Sequence, residues 1–121
     1  MKHLVIVAHG SRRQASNDEV RAVTQQFNAQ KHDFDQVSCA FLELDEPSIP
    51  QGIINAIKAG ADEVVVLPYF LSAGRHVSED IPVQVQSIQK QYPDIAISIA
   101  PYLGASARMP EILLAQAKEV S

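Results

Sequence analysis

Thiol chemistry is nearly absent from this chain, because Cys39 is its only cysteine. No disulfide can close within it, and no metal site built from thiolates alone is possible. Basic runs are missing too. Lys and Arg number 10 against 14 Asp and Glu, a formal net charge of −4, which argues against a general nucleic-acid binder that tracks phosphates. Long apolar runs are also lacking. The N-terminal Leu4-Val5-Ile6-Val7-Ala8 is too short for a signal-peptide core or a membrane span, and a charged helical pattern follows it at once. The expectation is a cytoplasmic protein in a reducing compartment, with neither membrane nor nucleic acid as a partner. Four histidines are too few for a metal-rich tract, and no linker, low-complexity segment or strong internal repeat divides the chain.

What is present is an ordinary globular balance. With 46% hydrophobic and 20% charged residues over 121 positions, residues 1–121 read as one domain long enough to bury a core. Leu4 to Ala8 is the first strand, and His9-Gly10-Ser11 the turn after it, with Gly10 supplying backbone freedom. From about Arg13 to Gln30, Val20, Val23 and Phe27 recur at helical spacing and mark one buried face. Val37 to Leu44 is the second strand, broken by Asp45-Glu46-Pro47. Ser48 then caps a helix, with Gln51 placed to complete a capping box, Ile53, Ile54 and Ile57 as its stripe and Gly60 as its stop.

The third strand, Glu63 to Leu67, is a run of β-branched and aliphatic residues that reads as buried on both faces. Pro68 ends it, since proline cannot donate to a ladder. A loop with Ser72, Gly74, Arg75 and His76 follows, and a helix opens near Ser78 and runs to about Lys90 on Ile81, Val85 and Ile88. Ile95 to Ala100 is the fourth strand. In the last helix Pro110 is tolerated in the first turn, and Met109, Ile112, Leu113 and Val120 face inward. The tally β-α-β-α-β-α-β-α predicts an α/β fold, a single doubly wound four-stranded parallel sheet with helices on both faces. A flavodoxin-like order of 2-1-3-4 puts the switch point between strands one and three.

His9 follows strand one and His76 follows strand three, so both belong at the crevice beyond the carboxyl ends of the strands. Glu43, at the end of strand two, reaches the same rim. Two neutral imidazoles and a carboxylate suit a divalent transition metal, and three protein ligands leave positions open. Imidazole near neutral pH can also accept a proton. Glu79 could orient His76, while Glu79 and Asp80 also read as charges at a helix N-terminus. Arg12, Arg13 and Arg75 flank the crevice, where they could clamp carboxylates or stand as solvated charges. His3 belongs at the opposite edge of the sheet, His32 at a helix end, and Cys39 in the core as a small residue.

Three stretches carry a family resemblance: Leu-Val-Ile-Val-Ala-His9-Gly10-Ser11-Arg12, Phe41-Leu42-Glu43 with Pro47 and Ile49, and Leu67-Pro68-Tyr69-Phe70-Leu71 through Gly74-Arg75-His76-Val77. In this order, over about residues 3 to 104, the chain resembles the sirohydrochlorin chelatases of the small CbiX type. The resemblance implies a chelatase-like half domain. It also implies insertion of Co²⁺, Fe²⁺ or Ni²⁺ into sirohydrochlorin or a related tetrapyrrole, without ATP or redox chemistry and without a tightly bound cofactor. Carried over by motif, the two family histidines match His9 and His76, and the acidic residue at the end of strand two matches Glu43. Ser11, Arg12 and Arg75 become candidate clamps for the substrate's carboxylates. Short members of the family imply a homodimer.

Which of His9, His76 and Glu43 is ligand and which is base stays open at this level. A carrier that binds metal or tetrapyrrole without joining them is the competing reading. A histidine phosphatase is a remoter one, because Ala8 stands where such enzymes have an arginine before the histidine.

Overall fold

The first strand, β1 (Lys2–Ala8), is buried along nearly its whole length, as a strand covered on both faces must be. The computed structural model describes residues 1–120; Ser121, the last residue of the expected domain, lies outside the described residues. Parallel strands β2 (Gln36–Phe41) and β3 (Glu63–Pro68) flank β1, and β4 (Ala96–Ile99) pairs with the far side of β3. The order β2-β1-β3-β4 is the one expected, with its switch point between β1 and β3.

Four helices connect or follow the strands: α1 (Gln14–Ala29), α2 (Ile49–Lys58), α3 (Ile81–Gln91) and α4 (Met109–Lys118). One face of the sheet, with Val5, Val7, Val64 and Val66, packs against Ile49 and Ile53 of α2 and Ile81, Val85 and Ile88 of α3. Each such fully buried aliphatic side chain stabilises the fold by roughly 1.5–3 kcal/mol. The other face, with Leu4 and Ile6 buried, has α1 against β2. No helix among the described residues is long and apolar enough to cross a membrane.

Several boundaries differ from the sequence reading, each for a local reason. β2 stops at Phe41 rather than Leu44, because Leu44 adopts φ +67° and turns the chain out of the ladder. Glu43 therefore sits in the turn beyond the strand. In α1 the expected Val20, Val23 and Phe27 are half-buried, and the buried positions are the polar Asn17 and Thr24. Ser48 does cap α2, accepting from the Gln51 N–H at 3.2 Å. The reciprocal half of the capping box is not made, since the Gln51 side chain donates to Asn55 at 2.7 Å. His76 opens a π-helical turn, His76–Asp80, that runs directly into α3, so the helical path starts two residues before Ser78.

The last helix departs most. Met109, Ile112, Leu113 and Val120 are expected to face inward, yet no residue of α4 is buried, and Ile112, Leu113 and Val120 are 46%, 63% and 93% exposed. Gly104 pins the preceding turn, its N–H donating to Phe70 O at 2.9 Å. A Cβ there would fall 1.7 Å from Leu71 O. From that anchor the helix leaves the sheet instead of folding back over it, and Val65 and Leu67 on the α1 side of β3 stay half-buried. An apolar stripe of helical period says that a face is to be covered; it does not say by which molecule.

Candidate active site

Two backbone bonds beyond the end of β2 carry Glu43 to the mouth of the sheet. The Leu42 N–H donates to Ala8 O at 2.9 Å and the Glu43 N–H to His9 O at 3.1 Å. Gly10 makes this approach possible: at φ +93° it has no Cβ where one would lie 1.8 Å from Glu43 O. From the other side of the switch point, the Tyr69 N–H still donates to Val7 O at 2.7 Å, and the chain then loops to Gly74, whose carbonyl accepts from Ser78 N–H at 3.0 Å. The π-helical turn that follows brings His76 against His9. Their rings meet edge to face with centroids 4.6 Å apart and planes at 67°. The expected convergence of His9 and His76, far apart in sequence, is thus present.

Each imidazole is held by one nitrogen. His9 Nδ1 lies 2.9 Å from Gly10 O, and a carbonyl can only accept, so Nδ1 carries the proton. His76 Nδ1 lies 2.8 Å from Asp80 Oδ2, which fixes the same tautomer in the neutral ring. Both Nε2 atoms are left with their lone pairs available. His9 Nε2 stands 3.6 Å from Glu43 Oε1, beyond hydrogen-bonding reach but within ion-pair range. Two ligands about 2.1 Å from one ion at a tetrahedral angle lie about 3.4 Å apart, so this spacing suits a shared cation. Among the described residues no three His, Cys, Asp or Glu side chains gather closely enough to hold a metal ion unaided. What the mouth presents is an open set of donors, His9, His76 and Glu43.

An open cleft of about 680 Å³ adjoins it, with His76, Glu43, Glu79 and Asp80 on its wall and Leu42 and Val83 as its apolar part. Three carboxylates in this wall give the mouth a negative lining. Arg75 is exposed and pairs with Glu79 at 3.5 Å. Glu79 is thus not the residue that orients His76; Asp80, four residues on, does that, with its Oδ2 2.8 Å from Nδ1. The signal for it was present as a carboxylate at i+4 from a histidine. Arg12 and Arg13 are exposed beside the mouth. The Ser11 Oγ accepts from the Arg13 N–H at 3.0 Å and keeps its own hydrogen to donate.

The remaining histidines fall away from the site. His3 is buried in β1 with no partner for Nε2 among the described residues. His32 closes the end of α1, bonded to Asn28 and accepting from the Phe34 N–H. Cys39 is a free thiol, half-buried in β2.

The CbiX family model matches residues 3–120. Among curated relatives, a sirohydrochlorin cobaltochelatase of Sulfurisphaera tokodaii is 32% identical over 99% of this chain and 94% of its own length. One from Methanococcus maripaludis is 43% identical over 68% of this chain, matching 56% of that protein. A cobaltochelatase of Priestia megaterium is 31% identical over 98% of the chain but only 38% of its own length. The chain thus spans well under two thirds of several of the curated relatives it matches. Two solved structures of SirB from Bacillus subtilis, one in complex with cobalt and one with Fe³⁺, superpose with TM-scores of 0.88 and 0.89 at 28% and 27% identity. Nearly all of this chain matches about half of each, 50% and 47%.

Proposed function

The chain belongs to the CbiX family, and from that premise we propose that it is a single-domain chelatase inserting a divalent metal ion into sirohydrochlorin or a related tetrapyrrole. Co²⁺ is the first candidate ion, as in the name of the Sulfurisphaera tokodaii relative, which matches over nearly the whole of both chains, with Fe²⁺ and Ni²⁺ as alternatives. The reading makes it a cytoplasmic enzyme of cobalamin or sirohaem synthesis. One observation carries it: both His9 and His76 are tied through Nδ1, with their rings 4.6 Å apart, so two Nε2 lone pairs stand ready at one mouth.

Metallation exchanges one M²⁺ for two pyrrole N–H protons, so charge balances without electron transfer or ATP. His9 and His76 hold the ion in an incomplete shell, and ring nitrogens replace its remaining waters stepwise. While an Nε2 lone pair is occupied by metal it cannot take a proton. Glu43, beside His9 and 55% exposed, then accepts a departing proton and passes it to solvent. Once the ion has moved into the ring, the imidazoles can accept in turn. The carboxylate lining of the cleft draws in the cation, while Ser11, Arg12 and Arg75 at its rim bind carboxylates of the tetrapyrrole.

A homodimer is part of the proposal. The uncovered apolar residues of α4 support it, as does the match of this chain to half of longer relatives, in which the rest of the polypeptide can do what a second copy does here.

The test is to mix purified protein with sirohydrochlorin and Co²⁺ and follow the absorption spectrum. The spectrum should shift faster than in the uncatalysed control, and His9→Ala or His76→Ala should abolish the acceleration while the circular dichroism stays unchanged. Tight metal binding without any acceleration would make the protein a carrier instead.

A further inference from the structure

A buried amide ties together the two turns that present His9 and Glu43. Asn17, on the first turns of α1, is only 3% exposed. Its Oδ1 accepts from the Ser11 N–H at 2.9 Å, and its Nδ2 donates to Ser11 O at 2.8 Å. Both ends of the amide thus grip the main chain of one residue, two positions after His9. The second Nδ2 hydrogen reaches Asp45 Oδ2 at 2.9 Å, two positions after Glu43. Asp45 is held in its turn by the Arg21 guanidinium at 2.9 Å and by the Glu46 N–H at 2.7 Å. Arg21 also donates to Glu46 O and lies over the buried Phe41 ring, at 5.0 Å from its centroid.

Asn17, Asp45 and Arg21 do not line the cleft, yet the network they form brackets both catalytic turns. Between Gly10 and Glu43 the backbones are already pressed together, so a shift of either turn moves the other. The Glu43–Asp45 turn also needs an anchor, because Leu44 sits at φ +67° without being glycine, a conformation that persists only where surrounding bonds over-determine it. A buried polar residue costs stability unless fully bonded. Asn17 meets that condition by bonding only to these two turns.

We propose that Asn17, acting through Ser11 and Asp45, is a positioning residue that sets His9 against Glu43 and His76, and so sets the affinity of the two imidazoles for the incoming ion. This rests on the chelatase reading for its consequence, but not for its geometry.

The experiment uses Asn17→Ala, with Thr24→Ala as the comparison. Thr24 is the other buried polar residue of α1, 7% exposed and bonded only within the helix to Val20 O. Two readouts are taken well below the melting temperature of each variant: Co²⁺ affinity by titration, and the nuclear Overhauser contact between the His9 and His76 ring protons. Asn17→Ala should weaken Co²⁺ binding about tenfold or more and lose the ring-to-ring contact; Thr24→Ala should keep both, even if it melts as early. Should Asn17→Ala fail to fold, Asp45→Ala, which cuts the same link between the turns, is expected to give the same two losses. Unchanged affinity and an unchanged ring contact in the folded variant overturn the proposal. A wild-type protein that keeps the ring contact but does not bind Co²⁺ overturns the chelatase reading instead, and the ring contact then still tests the role of Asn17.

Discussion

Gly10→Ala is the sharpest single perturbation of the site, because two separate penalties meet at one atom. The residue sits at φ +93°, and an added Cβ would lie 1.8 Å from Glu43 O. Left-handed backbone costs an L-residue about 1–2 kcal/mol. Relieving the clash means moving the carbonyl back by at least about 1.2 Å, and strain of that kind in a packed region costs roughly 1–3 kcal/mol more. A loss of about 2–5 kcal/mol in a domain of this size lowers Tm by roughly 10 °C or more.

The displacement also has a direction. Glu43 is bonded through its N–H to His9 O, so the carboxylate and the imidazole cannot both keep their places when the carbonyl retreats. A misplacement of about 1 Å at reacting groups can cost about a hundredfold in rate. The measurement is a melting curve together with the rate of Co²⁺ insertion at a temperature where the variant is folded. Gly74→Ala supplies the comparison for stability, since a Cβ there meets nothing within 4 Å, and its Tm should stay close to wild type. If Gly10→Ala melts with Gly74→Ala and keeps its rate, the close approach of the two turns is not what holds the site.

Other perturbations follow from the same geometry. Asp80→Asn removes the charge that holds the His76 tautomer and should weaken Co²⁺ binding about 10- to 100-fold by calorimetric titration; equal affinity would mean that Asp80 does not set the ring. Replacing both Ile112 and Leu113 with Glu should convert a dimer to a monomer in sedimentation velocity at micromolar concentration, and a wild-type protein that sediments only as monomer contradicts the homodimer outright. The Asp45 carboxyl is held below the usual carboxylate range, first by the Glu46 N–H and then by Arg21. Its contribution to stability is therefore complete above the unfolded value of about 4 and fades as pH falls through the lower folded value. In urea unfolding, the gap between wild type and Asp45→Asn should be widest near neutral pH and shrink under acid conditions; a gap independent of pH would exclude an ionic role.

Strand runs and connection order carried most of the architecture in the sequence, because a parallel strand covered on both faces is apolar along its length. That is why the runs at Leu4 and Val64 gave their strands, and why His9 and His76 could be placed on one rim. The turns were less legible. Leu44 leaves the strand through a left-handed conformation that its side chain does not announce, and the π turn at His76 differs from an α turn by one residue's hydrogen bond. Glu79 at i+3 and Asp80 at i+4 are both within reach of His76 by spacing alone, and only the structure shows Glu79 taken by Arg75 and Asp80 on the imidazole. Asn17 was hidden for a different reason: a polar residue on a helix reads as solvent-facing unless its partners, here Ser11 and Asp45, are known to be near.

The partial character of the site and the bareness of α4 point the same way when taken together. A metal site that closes all positions with protein ligands binds its ion as structure and keeps it. Two half-exposed imidazoles and a nearby carboxylate leave positions for water or ring nitrogens, which the proposed transfer reaction requires. The accompanying cost is a weak hold on a flat substrate, since one open cleft with Leu42 and Val83 as its apolar wall covers little of a tetrapyrrole. In the proposed homodimer a second copy, brought in by the apolar residues that α4 leaves uncovered, would add surface without adding a fixed fourth ligand. The expectation this generates is specific: the monomeric Ile112→Glu, Leu113→Glu protein should still bind Co²⁺ with wild-type affinity, because His9, His76 and their tethers all come from one chain, while its rate at low tetrapyrrole concentration falls. A monomer that loses Co²⁺ affinity as well would mean that the partner completes the ion's shell, and that the two-imidazole site is not sufficient to grip the metal.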